Sequence, residues 1–150
     1  MKVSREQAAL NRERIVETAA RLFREKGFDG IGVADLMKGA GLTHGGFYGH
    51  FASKELLLAE ATGKALEKSV MKWRKLADAA PARPVAAIAE SYLSAAHRDG
   101  PGRGCAVSTL GTDVARAGAA SASLRHFITD FSSALPVASA SSSSLDAKWP

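Results

Sequence analysis

Residues 33–51 read VADLMKGAGLTHGGFYGHF, and this stretch decides the fold. Its first apolar residues have helical spacing, which predicts a short helix over 33–39. The sequence Ala40-Gly41-Leu42 predicts a tight turn, because glycine tolerates backbone angles that other residues avoid. Thr43 is a good N-cap residue and predicts a second short helix that reaches His50. Two short helices joined by a glycine turn form a helix-turn-helix.

A longer helix is predicted before this hairpin. Ser4 and Gln7 have the spacing of a capping box, in which each side chain bonds the backbone N–H of the other residue. Apolar residues then recur with helical period, and Gly27 is a natural stop for the helix. The first helix is therefore expected at about residues 5–26.

The chain after the hairpin is also predicted to be helical. Ser53 is a suitable N-cap for a long helix over 54–79. Prolines then close that helix and open another over 85–98, whose apolar stripe should face the core. Two further helices are expected over 105–117 and 123–135. No strand-like alternation is long enough to indicate a sheet, so the fold class is all-α.

The composition of the chain excludes several classes of protein. The chain has 150 residues, a formal net charge of +5 and a single cysteine. One cysteine excludes an internal disulfide and a cysteine-rich zinc site. No apolar run approaches the roughly 20 residues of a membrane-spanning helix, and the amino terminus has no apolar signal-peptide core. We therefore expect a cytoplasmic protein with no metal, no cofactor and no membrane partner.

The hairpin also predicts a function. The DNA major groove admits one helix, whose first turn reaches base edges while the preceding helix crosses the backbone. The second helix offers polar or very small residues on its outer side, including Gly45 and Gly46. Inside a helix, each glycine lowers the stability by about 1 kcal/mol relative to alanine. Residues this small would allow the helix to approach nucleic acid closely. The alternative is an ordinary helical hairpin with a glycine turn.

Residues 10–58 resemble the DNA-binding domain of the TetR/AcrR family of bacterial repressors. The matching stretches are RIVETAARLF at 14–23, KGF at 26–28, VADLMKGAGL at 33–42, THGGFYGHF at 43–51 and SKELL at 53–57. The resemblance implies an amino-terminal three-helix helix-turn-helix domain over 1–53. A shortened helical regulatory, ligand-binding and dimerisation domain would follow over 54–137, and composition marks 138–150 as a low-complexity tail.

The resemblance also implies which residues contact DNA. Thr43 and His44 would start the recognition helix and contact bases or phosphates, whereas Tyr48 and His50 would contact phosphate. Lys54 would contact the DNA backbone near a helix amino terminus. The expected DNA-binding residues are Thr43, His44, Gly45, Tyr48, His50 and Lys54. Gly46 and Gly49 depart from the family pattern by replacing larger side chains, which would weaken binding.

For the second half, the resemblance implies a homodimer that binds a palindromic operator and acts as a repressor. A small-molecule inducer would release the protein from the operator. The resemblance also implies a bacterial protein that is associated with the nucleoid when bound to DNA. The candidate ligand-binding residues are Trp73, Tyr92, His97 and Cys105, and further candidates are Met71, Ile88, Leu93 and Leu110. Plain core packing is the alternative for each. Residues 104–111 also resemble a branch of the family that includes electrophile and redox sensors, so Cys105 is a candidate sensor. A lone cysteine is, however, usually a small buried hydrophobe.

Three further features of the sequence bear on its function. Pro136 and the serine- and alanine-only run 138–144 depart from the family's two long carboxy-terminal helices, so a truncated or degenerate regulator with impaired dimerisation is an alternative. Helix 54–79 carries a basic stripe, which is expected to be solvated, with Glu60 pairing with Lys64; the stripe consists of Lys64, Lys68, Lys72 and Lys75. An enzyme is rejected because the glycines of 100–104 lack phosphate-loop spacing, and no catalytic residues stand out.

Overall fold

The computed structural model describes residues 4–117. Within this range the elements are helices joined by turns, without a strand. The α-helices are α1 (Arg5–Lys26), α2 (Val33–Gly39), α3 (Lys54–Ala79), α4 (Pro84–Tyr92), α5 (Ala95–Arg98) and α6 (Ala106–Ala117). Two short 3₁₀ helices, His44–Gly49 and Pro101–Arg103, lie between them. The all-α prediction is confirmed.

Helix α1 begins and ends where the sequence predicts, but its capping box forms only in part. The Ser4 hydroxyl accepts a hydrogen bond from the Gln7 backbone N–H at 3.1 Å. The Gln7 side chain does not return this bond, because its amide donates to Asn11 Oδ1 one turn further on, at 3.0 Å. Gly27 ends the helix with a positive φ of 76°, which glycine adopts without steric cost.

Helix α2 and the turn after it match the sequence prediction. Leu36 and Met37 are buried, and Gly41 turns the chain with a φ of 69°. The Leu42 N–H then donates to the Met37 carbonyl at 2.9 Å, which closes the turn. These local bonds bring the next segment back against α2.

The second helix of the hairpin differs from its prediction. Residues His44–Gly49 form a 3₁₀ helix, and the Thr43 side chain makes no capping hydrogen bond. Three of its six residues are glycine, and glycine disfavours a regular α-helix by about 1 kcal/mol relative to alanine. The tighter winding is held by bonds such as that from the His50 N–H to the Phe47 carbonyl, at 2.8 Å.

Helix α3 is capped by Ser53, whose hydroxyl accepts from the Leu56 N–H at 3.3 Å. The single helix predicted over 85–98 is wrong, because the chain breaks after α4. Ser94 is extended, and its hydroxyl accepts from the His97 N–H at 3.2 Å, so it starts the separate helix α5. The side chain of Ser94 thus supplies an N-cap that the apolar periodicity did not signal.

The core lies where α1, α2, α3 and α6 meet. Phe23, Phe47, Leu57, Leu66 and Leu110 are fully buried there. Helix α4 does not supply the predicted core stripe: none of its residues is buried, and Val85 is 65% exposed.

The remaining predictions for the second half have different outcomes. Helix α6 confirms the helix expected over 105–117, whereas the helix over 123–135 and the tail over 138–150 lie outside the described residues. None of the described helices is both long and apolar enough to cross a bilayer.

The basic stripe of α3 is paired differently from the prediction. Glu60 contacts Arg12 of α1 instead of Lys64, which lies 3.8 Å from Glu67. Lys68 reaches Glu17 of α1 at 2.7 Å, and this bond lowers the pKa of the Glu17 carboxyl below its ordinary value. The stripe therefore contributes one ion pair between α1 and α3, through Lys68.

Candidate nucleic-acid interface

The segment Thr43–His50, which we name the recognition segment, lies on the protein surface. Its first three residues, Thr43, His44 and Gly45, are exposed to solvent, and Tyr48 is 69% exposed. His50 is partly buried at the end of the segment. Five of the six proposed DNA-contacting residues thus belong to one short stretch of chain, and the sixth is Lys54 at the start of α3.

Two buried aromatic rings support the recognition segment from below. Phe47 is fully buried and Phe51 is 4% exposed. Their ring centroids lie 5.9 Å apart with planes 30° from parallel. The Tyr48 ring meets Phe47 edge-on at 5.2 Å. The exposed tyrosine therefore rests on a ring that the core holds in place.

Arg12 of α1 lies over one ring of this aromatic pair, that of Phe51. Its guanidinium carbon lies 4.4 Å from the centroid of the Phe51 ring, and its Nη1 contacts Glu60 of α3. Sequence reasoning did not select Arg12. No local pattern signals its role, because its partners lie far away along the chain.

The glycines of the recognition segment are not required by packing within the protein. A Cβ atom added at Gly45 or Gly49 would meet nothing within 4 Å, and one at Gly46 would lie 3.6 Å from the Met37 side chain, an ordinary contact. Because no neighbouring atom excludes a side chain, the small size of these residues leaves a bare outer surface. Such a surface allows a close approach by another molecule.

Lys54 has a role inside the protein that the sequence did not indicate. Its ammonium donates to the Phe28 carbonyl at 2.5 Å and lies 4.2 Å from the centroid of the Phe28 ring. The backbone N–H of Phe28 donates to Asp113 of α6 at 3.2 Å. Phe28 is thereby held by α3 on one side and α6 on the other.

The acid next to Lys54 keeps a negative charge beside the same helix end. The pKa of the Glu55 carboxyl is lowered, first by a hydrogen bond from its own backbone N–H and then by one from Ser53. Negative charge in the first turn stabilises the helix end. Any phosphate at Lys54 would therefore meet an ionised neighbour as well as a cation.

The four candidate ligand residues of the second half line one small cavity. Its volume is about 30 Å³, and Ser69, Lys72, Arg103 and Gly104 complete the lining. The Cys105 N–H donates to His97 Nε2 at 3.2 Å, and the His97 ring lies 4.3 Å from that of Tyr92. Ligand pockets usually measure roughly 300–1,000 Å³, so this conformation has room for about one water molecule.

The four other pocket candidates do not line this cavity. Leu110 is fully buried in the core and Ile88 is partly buried, whereas Met71 is 55% and Leu93 is 82% exposed. The Cys105 residue itself is only 8% exposed. Next to it, the Arg24 guanidinium donates to the Gly102 carbonyl at 2.6 Å, and burial lowers the pKa of this arginine.

Comparison with known proteins gives a family match in the amino-terminal region. Residues 15–61 match the model of the bacterial regulatory proteins, tetR family. The chain is 31% identical over 88 residues to an uncharacterised HTH-type transcriptional regulator, YerO of Bacillus subtilis, covering 59% of this chain and 30% of that protein. It is 36% identical over 67 residues to the repressor KstR2 of Mycobacterium tuberculosis, covering 45% and 34%.

A longer alignment and a solved structure extend the likeness. The repressor DhaR of a Mycobacterium species is 26% identical over 106 residues, covering 69% of this chain and 52% of that protein. The chain thus spans about a third to a half of the length of these relatives. The reduced form of Escherichia coli NemR has the same fold, with a TM-score of 0.62 at 22% identity, covering 83% of this chain and 64% of that one.

The family match coincides with the helix-turn-helix. It includes the second half of α1, all of α2, the recognition segment and the start of α3. The matched region therefore contains both the exposed recognition segment and the buried aromatic rings that support it. The amino-terminal region of the chain, residues 15–61, is thus similar to the tetR family of bacterial regulatory proteins.

Proposed function

We propose that this protein is a sequence-specific DNA-binding transcriptional regulator that acts as a repressor through its recognition segment. The observation that carries the proposal is the exposed, glycine-rich segment Thr43–His50 seated on the buried rings of Phe47 and Phe51. The curated relatives support it, since they are named as transcriptional regulators and repressors.

The chemistry of the segment suits the major groove. Thr43 and His44 are exposed at its start, where side chains reach base edges. Tyr48 and His50 supply donors suited to phosphate, and phosphate contacts fix the register of a protein on the duplex. The net charge of +5 adds a favourable, sequence-independent attraction to DNA.

The assembly and its control are part of the same proposal. Two copies of the chain bind a palindromic operator, because the symmetry of an operator mirrors that of a dimer. We assign DNA binding to residues 1–53 and effector response and dimerisation to 54–137, with 138–150 as a tail.

A small-molecule effector binds at Trp73, Tyr92, His97 and Cys105 and releases the operator. The cavity at these residues has to widen before an effector enters, since it now holds about 30 Å³. This widening would favour one of two states of the protein, as ligand control requires.

The test is a binding-site selection from random duplex DNA at moderate salt, with the Thr43→Ala/His44→Ala double variant as control. Enrichment of a palindrome by the unsubstituted protein, lost in the control, supports the proposal. Enrichment of a single half-site supports DNA reading and overturns the homodimer. No enrichment, with only salt-sensitive background binding, overturns sequence-specific recognition.

A further inference from the structure

The recognition segment has few restraints of its own. It is a short 3₁₀ helix with three glycines, and no residue in it except Phe47 is buried. Its position therefore depends on how firmly Phe47 and the adjoining Phe51 are held. Phe47 is enclosed by the core, whereas the face of Phe51 is covered by Arg12.

Arg12 also connects the two helices that border this aromatic pair. It projects from α1, lies 4.4 Å above the Phe51 ring and contacts Glu60 of α3. The side chains of Arg12 and Glu60 remain 43% and 39% exposed. The two residues thus form a partly exposed ion pair between α1 and α3, with the Arg12 end over the Phe51 ring.

We propose that Arg12 is a positioning residue for DNA reading, which acts together with Glu60 by holding Phe51 and hence the recognition segment in place. This inference rests on the proposed function and concerns a residue outside the 15–61 match. A cation held over an aromatic ring is attracted by its π electrons, and its ion-pair partner fixes it there. Neither residue needs to touch DNA for this role.

The opposite charges of the pair make the role testable. Arg12→Gln removes a positive charge and Glu60→Gln removes a negative one. If only long-range attraction to DNA matters, the first change weakens binding to every duplex and the second strengthens it. If the pair positions the segment, both changes lower the ratio of operator affinity to affinity for a scrambled duplex.

The experiment measures dissociation constants for the operator obtained by selection and for a scrambled duplex of equal length. The matched controls are Arg14→Gln and Glu13→Gln, which change the same charges at exposed positions of α1 without an ion pair in residues 4–117. We expect each of the two positioning variants to lower the affinity ratio by about 5- to 10-fold, as expected for one lost cation–π contact or ion pair. The two controls leave the ratio unchanged.

A conservative variant separates positioning from folding. Arg12→Lys keeps a positive charge that can lie over the ring and pair with Glu60, but it loses the planar guanidinium, so it restores part of the ratio relative to Arg12→Gln. Circular dichroism at the assay temperature shows whether each variant is folded, and if Arg12→Gln is not, Glu60→Gln and Arg12→Lys carry the test.

Two results overturn the inference in different ways. If the affinity ratios stay constant while Arg12→Gln weakens and Glu60→Gln strengthens binding to both duplexes, the positioning role alone is overturned. Absence of a preferred site for the unsubstituted protein overturns the proposed function, and the inference with it.

Discussion

The ammonium of Lys54 lies 4.2 Å from the centroid of the Phe28 ring and donates to the carbonyl of the same residue at 2.5 Å. This contact joins the start of α3 to the connection between α1 and α2. Because Lys54 is also expected to contact the DNA backbone, a bound phosphate would have to share the ammonium with Phe28. The residue thus has a structural role beside its proposed DNA-binding role.

The first prediction is that Lys54→Ala lowers both stability and DNA affinity. Loss of a charge-assisted hydrogen bond and a partly exposed cation–π contact should reduce the free energy of unfolding by about 1–3 kcal/mol. Binding to all sequences should also weaken, with a flatter dependence on salt. Urea denaturation and binding at several salt concentrations measure the two effects. Unchanged stability with weakened binding would show that the ammonium serves DNA alone.

The second prediction concerns the exposed glycines of the recognition segment. Gly45→Ala and Gly49→Ala should leave stability unchanged or raise it by up to about 1 kcal/mol, because the added methyl group meets no atom within 4 Å. Both changes should weaken operator binding if the bare surface lies against DNA. Gly111→Ala in α6 is the matched control, since its site is equally open. Operator affinity equal to that of the control would separate these glycines from the interface.

The third prediction divides the recognition segment into reading and anchoring residues. His44→Ala should change which sequence is selected, because His44 is exposed at the start of the segment. Tyr48→Phe should instead weaken binding to operator and scrambled DNA alike, since it removes only a hydroxyl suited to phosphate. Parallel selections with both variants measure this difference. An unchanged preferred sequence for His44→Ala would remove that residue from the reading set.

Local signals predicted the positions of the main helices. Ser4 and Ser53 cap helices as expected, and Gly27 ends α1 with positive φ. Such features depend on a few neighbouring residues, so the sequence contains them directly. The hairpin over 33–51 was located for the same reason.

Features that depend on distant residues were missed. The contact of Arg12 with Phe51 and the bond from Lys54 to Phe28 join separate helices, and nothing in the local pattern indicates them. The apolar stripe predicted over 85–98 indicated burial, yet Val85 is 65% and Leu93 is 82% exposed, because periodicity gives the face of a helix and not what covers it.

The last prediction is that Cys105 reacts slowly in the folded protein. The residue is 8% exposed, and its backbone N–H is held by His97 at 3.2 Å. Reaction with a thiol reagent requires an accessible thiolate, so iodoacetamide should modify the native protein at least roughly tenfold more slowly than the urea-unfolded chain. His97→Ala should raise the native rate, because the amino-terminal end of α6 loses its contact with α5. A native rate equal to the unfolded rate would mean that the thiol is open to solvent, which is the exposure that an electrophile sensor requires.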